Sequence, residues 1–308
     1  MRSRPVLVVW TATTLLGCEA PAALAVPKPI GSALAPTPIL PERETWTRLY
    51  GRAWEIATRR VLQTASAAGL APTYLDEGFL PNVYQWDTCF MSMFADYSSV
   101  IPGVGSLDSF YGKQHEDGFI CREISEIDGT DIWGEQSPAA VNPPLFAWAE
   151  WLSYSKTGDR LRLERVFPVL TRYFEWLELH RQNADGTYWS SGYGSGMDNS
   201  PRGRPVFDQF SSHGLGWIDM TSQQALAARM LVQIARVLGN AAAETAFMVH
   251  FERISEVINS RMWDETTGFY FDIDPFGALT QIKTIASFWP TIAGLAGPER
   301  CSRLVTHL

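Results

Sequence analysis

The sequence predicts an all-α protein built as an (α/α) toroid, and three observations predict it. Segments with apolar residues at helical spacing recur from residue 43 onward. Two pairs of them are joined by turns of a few residues, "TGD" at 157–159 and "LGN" at 238–240, so each pair folds back as an antiparallel hairpin. The connections between hairpins are long, roughly 99–141, 182–220 and 264–282, and rich in Gly, Asp, Ser and aromatics. Long irregular connections in a compact domain usually carry function. Short turns at one side and decorated loops at the other describe hairpins set in a ring, with a site at one mouth. A helical solenoid is the alternative, and the absence of fixed-period self-similarity weighs against it.

Taken in order, the chain opens with two arginines in "MRSRP" and the apolar run "VLVVWTATTLL". That run is too short to span a bilayer and is read with the small residues after it as an export signal, residues 1–25, which implies a periplasmic or extracellular protein. Two processing sites compete. Ala23-Leu24-Ala25 fits ordinary cleavage, whereas "LLGC" resembles a bacterial lipobox in which Cys18 becomes a lipidated first residue, the one route to a membrane that the sequence offers. Residues 26–42 are a Pro-rich tether, and residues 43–308 are the expected, partial catalytic domain.

Within that domain Trp46, Leu49, Tyr50, Ala53, Trp54, Ala57 and Val61 mark an amphipathic helix. "NPPLFAWAEWLSYS" predicts a helix with Asn142 as its cap and prolines in its first turn. A second helix, "DRLRLERVFPVLTRYFEWLELH", follows the "TGD" break. "TSQQALAARMLVQIARVLG" starts on a capping box, Thr221 with Gln224, and its partner begins at "AAAETAF". Strand signals are limited to stretches such as "GFYFDI", a small hairpin at most.

Composition narrows the function. The chain has 308 residues, 46% hydrophobic, with 25 basic against 33 acidic residues and a net charge of −8. No basic stripe is present, which excludes a nucleic-acid partner. Cys89, Cys121 and Cys301 remain beyond Cys18, an odd number without metal-type spacing, so no essential disulfide, no structural zinc and no cofactor are expected. The 12 Trp suit stacking on sugar rings, although large indoles also simply fill helical cores. "GYGSGM" contains the G-x-S-x-G string but does not lie between a strand and a helix, and "DIDPFG" lacks the final acid of a calcium loop.

Carboxylates, aromatics and amides in the long loops remain. Trp86 and Asp87 in "YQWDTCF", Asn142 before two prolines, and Asp198 in "GSGMDNSPR" are candidates for sugar binding and acid chemistry. Each has a plainer reading. Asp87 and Asn142 fit helix caps, and Asp198 fits an Asx-turn.

The order "WDT…F", "DGFI…REI", "NPPLFAWAEW…TGD", "YW…GSGMDNSPR" and "KTIASFWPTIAGLA" resembles glycoside hydrolase family 63, which includes processing α-glucosidase I and bacterial mannosylglycerate-hydrolase-type enzymes. The resemblance covers residues 45–308 and implies an (α/α)6 barrel with inverting hydrolysis of α-glucosides or α-mannosides. It implies Asp198 as the general acid, Trp86 and Asp87 as a sugar-binding element, and Asn142 as a polar sugar ligand. Gly196 and Arg202 belong to the acid loop, where Arg202 is either a ligand or an anchor. The implied ligand is an α-linked oligosaccharide or a small glycoside. An inverting enzyme also needs a second carboxylate roughly 6.5–9.5 Å from the first. The family carries it on a late Glu loop, which does not occur before Leu308, so a truncated and impaired enzyme is expected. The alternatives are a carbohydrate-binding remnant without turnover and a polysaccharide lyase. The latter is disfavoured by the acidic net charge and only five His.

Overall fold

The computed structural model describes residues 35–39, 42–64, 68–202 and 208–308. The export signal, Cys18 and much of the tether lie outside these residues. The fold is all-α, an arc of an (α/α) toroid whose frame is two helical hairpins. The first pairs α4 (Phe146–Thr157) with α5 (Arg160–Arg181), and the second pairs α7 (Ile218–Leu238) with α8 (Ala241–Arg261). The two turns share one design. A left-handed glycine, Gly158 at φ +68° or Gly239 at φ +75°, ends the first helix. The next residue caps the second helix: Asp159 accepts from Arg162 N–H at 3.0 Å, and Asn240 accepts from Ala243 N–H at 3.1 Å. Only glycine takes that backbone conformation without strain, and each cap satisfies a helix-end donor.

Helix α7 is buried on nearly every face, the pattern of a helix enclosed by neighbours rather than lying on a surface. Its polar first turns bond inside the core: Ser222 Oγ donates to the Ile218 carbonyl at 2.6 Å and Gln224 Nε2 donates to the Phe174 carbonyl at 3.1 Å, while Gln224 Oε1 is left without a partner. The helix begins at Ile218, so Thr221 is not an N-cap. Its hydroxyl donates to the Trp217 carbonyl at 2.6 Å and accepts from Tyr188 N–H at 2.9 Å. The sequence misplaces this start because Ile218 and Met220 are apolar and carry no start signal.

Other expectations shift in the same way. Helix α4 begins at Phe146, four residues past Asn142, with no side-chain cap. Helix α1 (Glu44–Arg59) has the predicted period, but Trp46 and Leu49 on its apolar stripe are exposed while Trp54 and Ala57 are buried. Three antiparallel ribbons occur among the described residues: β1 (Val61–Gln63) with β2 (Thr73–Leu75), β3 (Asn82–Tyr84) with β4 (Glu123–Ser125), and β5 (Trp263–Asp264) with β6 (Phe269–Tyr270). The last is the small hairpin expected at "GFYF". The β3–β4 ribbon matters most for function, because α2 (Gln85–Ala95) starts directly from β3.

Candidate active site

The decorated loops meet around a cleft of about 410 Å³ whose lining includes Trp86, Asp87, Asn142, Gly196 and Asp198, together with Glu77, Arg122, Glu123, Trp133 and Tyr193. Five of the six residues singled out in the sequence are therefore brought together, from segments as far apart as 86 and 198. Arg202 is the exception.

Trp86 and Asp87 sit in the first turn of α2, and the ribbon beneath fixes where that turn points. Val83 pairs with Ile124 across β3–β4, and Gln85 N–H donates to the Arg122 carbonyl at 2.8 Å. Asp87 is the third residue of the helix and not its cap, which falls at Tyr84. Its carboxyl is half-buried. Burial raises its pKa above the ordinary aspartate value and the charge of Asp198 adds to this, while its own N–H and Arg122 oppose.

Asn142 connects the two walls. Its Oδ1 accepts from Trp86 N–H at 3.3 Å, and its Nδ2 donates to the Gly194 carbonyl at 3.1 Å. The amide thus caps the first turn of α2 from across the cleft rather than its own helix, and it is 2% exposed. Both amide ends are engaged by backbone, so its main work is to hold the acid loop against the Trp86 turn.

The acid loop follows the four-residue helix α6 (Gly192–Ser195) and turns at Gly196, φ +70°. A Cβ there would lie 2.6 Å from Trp86 Cδ2, so the position needs glycine both for its backbone and for the indole lying on it. Asp198 comes next on this turn. The N–H that an Asx-turn at Asp198 would capture, that of Ser200, donates to the Met197 carbonyl at 2.9 Å instead, which leaves the carboxyl to the cleft. Burial raises the Asp198 pKa, opposed by the Arg122 guanidinium and its own N–H.

Arg202 does not line the cleft. It is 1% exposed and held among buried acids, with Nη2 2.7 Å from Asp219 Oδ2 and Nη1 3.1 Å from Asp272 Oδ1, its guanidinium 4.2 Å from the Trp217 ring centre. Asp272 Oδ1 also accepts from Ile218 N–H at 2.8 Å. As a sugar ligand Arg202 is therefore corrected to an anchor, the second of the two roles open to it in the sequence. The acid loop is pinned at one end by Gly196 on Trp86 and at the other by Arg202.

Three lining residues escape a reading by motif. Glu123 accepts from Asn82 Nδ2 at 2.8 Å and Trp133 Nε1 at 2.6 Å, and lies 3.3 Å from Arg122 Nη2. Arg122 donates from Nε to the Ala139 carbonyl at 2.7 Å and lies 5.1 Å from the Trp133 ring centre. Glu77 differs from both, since neither carboxylate oxygen has a partner. Burial and the neighbouring Asp76 charge push its pKa up to about 9, which keeps it protonated at neutral pH. Arg122 and Glu123 lie in the string "REI", Glu77 lies in no motif singled out in the sequence, and nothing in their spacing places them opposite "WD". The indoles divide between both expected uses: Trp217 and Trp176 fill the core, while Trp86 and Trp133 line the cleft. Among the described residues one grouping has metal-ligand chemistry, His115, Asp117 and Glu135, with ligand atoms within 4.8 Å of one another; none of the three lines the cleft.

Comparison with known proteins bears on the family and the fold. An uncharacterized protein of Borreliella burgdorferi is 29% identical over 225 residues, covering 73% of this chain and 45% of the relative. An uncharacterized protein of Saccharomyces cerevisiae is 27% identical over 232 residues, covering 66% of this chain and 20% of the relative. The chain thus spans less than half the length of these curated relatives. Among solved structures, the GH63 mannosylglycerate hydrolase of Thermus thermophilus in complex with glucose superposes with a TM-score of 0.66 at 22% identity, covering 83% of this chain and 74% of that one. The same enzyme with Tris and D-glycerate gives 0.65 at 20% identity, covering 84% and 76%. A rhamnosidase from Klebsiella oxytoca with rhamnose bound gives 0.64 at 13% identity, covering 89% and 49%. The profile of the mannosylglycerate hydrolase MGH1-like glycoside hydrolase domain matches residues 80–308, from the cleft loop before β3 to Leu308, and by that match the chain belongs to the MGH1-like, family 63-type glycoside hydrolases.

Proposed function

We propose that this chain carries the acid half of an inverting α-glycosidase site, with Asp198 as the general acid acting on an α-glucoside or α-mannoside. One observation carries the reading: a half-buried carboxyl with a raised pKa stands in the cleft on a loop fixed at both ends, facing the Trp86–Asp87 turn. A general acid must be protonated near working pH and held still against the leaving oxygen. Asp198 gives its proton to the glycosidic oxygen as the C1–O bond breaks. Water adds to C1 from the opposite face and loses a proton to a second carboxylate, so the anomeric configuration inverts.

The described cleft carboxyls do not have the profile of that second group. Glu77 is pushed up to about 9, Asp87 is raised, and Glu123 is engaged by Asn82, Trp133 and Arg122. This favours one competing reading, sugar binding without turnover. Export through an N-terminal signal, cut either after Ala25 or before Cys18 with lipidation of that cysteine, is part of the proposal and rests on the N-terminal sequence.

Proton NMR of the purified chain with methyl α-glucoside, methyl α-mannoside and α-linked disaccharides tests it. Slow release of the β-anomer first, abolished in Asp198→Asn, is the expected result of an acid acting without a matched base. Binding by calorimetry with no product supports the non-catalytic reading. First release of the α-anomer, or turnover that survives Asp198→Asn, overturns the assignment.

A further inference from the structure

The cleft is polar within and apolar at its mouth. Phe79 is 77% exposed and Leu80 50% exposed on one side. On the other side Phe210, 50% exposed, packs against two lining rings, Tyr193 at 5.0 Å and Trp133 at 5.8 Å between centroids. Side chains this exposed bury little against the fold, and grouped at a cleft mouth they mark a contact surface for a ligand.

Both sides are preorganised. Phe79 follows Gly78, φ +78°, where a Cβ would lie 1.6 Å from the Arg60 guanidinium; Arg60 in turn pairs with buried Asp76 at 2.7 Å. After Leu80 the chain closes through Asn82 N–H to the Leu80 carbonyl at 2.8 Å and enters β3. Phe210 is joined to the acid loop, since Tyr193 N–H donates to the Gln209 carbonyl at 3.0 Å. Ordering a ligand against such a surface costs little protein entropy.

Charge selects among the groups that could leave through this mouth. The described lining holds four carboxyl groups, Glu77, Asp87, Glu123 and Asp198, and one guanidinium, Arg122. Arg122 is 7% exposed and already shared between Glu123 and the Ala139 carbonyl. Burial raises the pKa of Glu77, Asp87 and Asp198, so the cleft disfavours carboxylate charge. A bound carboxylate meets the same desolvation, and among the described lining residues no uncommitted cation answers it. A sugar ring brings no charge, and its axial C–H face suits aromatic side chains.

We propose that Phe79, Leu80 and Phe210 form the leaving-group subsite of this cleft, and that it takes a neutral ring, a second sugar or another uncharged cyclic aglycone, in preference to small anionic glycerate. This rests on the glycosidase-type reading of the cleft given above. With the glycone on the floor between Trp86, Asp87 and Asp198, the group that leaves lies toward the mouth.

Calorimetry on the whole 308-residue chain carrying Asp198→Asn separates the two levels of inference. The probes are methyl α-mannoside and methyl α-glucoside, the corresponding α-linked mannobiose and glucobiose, and α-mannosylglycerate. A disaccharide is expected to bind roughly tenfold more tightly than its methyl glycoside. Phe79→Ala and Phe210→Ala are expected to remove that gain and to leave methyl glycoside affinity unchanged. Both positions are exposed, so unaltered thermal midpoints verify folding. Tighter binding of α-mannosylglycerate than of either disaccharide overturns the subsite, as does a disaccharide gain that survives both substitutions. Methyl glycoside binding without any disaccharide gain overturns the subsite alone, whereas no binding of any probe overturns the reading of the cleft and the subsite with it.

Discussion

Asp198 and Arg202 stand four residues apart on one loop, and the protein treats their charges in opposite ways. Around Arg202 every charge has an answer within 3.1 Å: Asp219 and Asp272 take the guanidinium, and Ile218 N–H donates to Asp272. Around Asp198 the acids outnumber the cations, and burial raises Glu77, Asp87 and Asp198 together. The buried triad commits its polar groups to position. The cleft leaves one carboxyl, Glu77, without a partner and turns that of Asp198 to open space. A loop that must hold an acid still, and also leave it free to give up a proton, needs both kinds of end.

Substitutions can break each end separately. Asp198→Asn keeps the shape of the loop and removes its proton, so turnover is expected to fall by roughly 10²–10⁴-fold with the urea midpoint unchanged. Arg202→Met should do the reverse. It leaves two buried carboxylates without a cation, and the expected loss is about 3–5 kcal/mol of unfolding free energy by urea titration. Retention of wild-type stability by that variant would show that the triad is not an anchor.

Gly196→Ala probes the hinge between the two ends. The left-handed backbone and the contact with Trp86 together predict a cost of about 1–3 kcal/mol. A blue or red shift of Trp fluorescence with loss of sugar binding would follow from displacement of the indole.

Glu77→Gln has the smallest effect and the opposite sign. The folded pKa of Glu77 is raised from 4.5 to about 9, so the native state keeps a proton that the unfolded chain releases. That group's stabilisation is therefore complete below pH 4.5 and is lost as pH climbs toward 9. The glutamine variant should match wild type at about pH 4 and be more stable by about 2 kcal/mol at about pH 6. Equal slopes of stability against pH in the two proteins would show that Glu77 is not held protonated.

How legible these features are follows from the range of the interactions that make them. The two hairpins rest on signals within three residues, Gly158 with Asp159 and Gly239 with Asn240, and the sequence predicts both turns. The β3–β4 ribbon joins residues 82–84 to 123–125 through three-residue strands, too short for alternation to show. Asn142 looks like the cap of the helix after it, yet its amide serves the helix at Trp86, 56 residues upstream. The acid loop is legible because its glycines, Asp198 and the Asn-Ser-Pro turn are contiguous. The role of Arg202 is not, because its partner Asp272 lies 70 residues away. Glu77 stands out only once its lack of a partner is visible in three dimensions.

The Arg202–Asp272 pair also sets an order of assembly. Contacts spanning many residues close late, since the chain between them must first lose its freedom. Helices α7 and α8 lie within the 70 residues bridged by that pair, so the second hairpin must form before Arg202 can find Asp272. The acid loop is then among the last parts of the molecule to set. During synthesis, a chain that has emerged only as far as α8 carries Asp198 on a segment held at the Trp86 side and by the Arg202–Asp219 pair, still without Asp272. The Asp198 carboxyl takes its final setting only when the second hairpin closes behind it, which couples the appearance of the cleft to the completion of its scaffold.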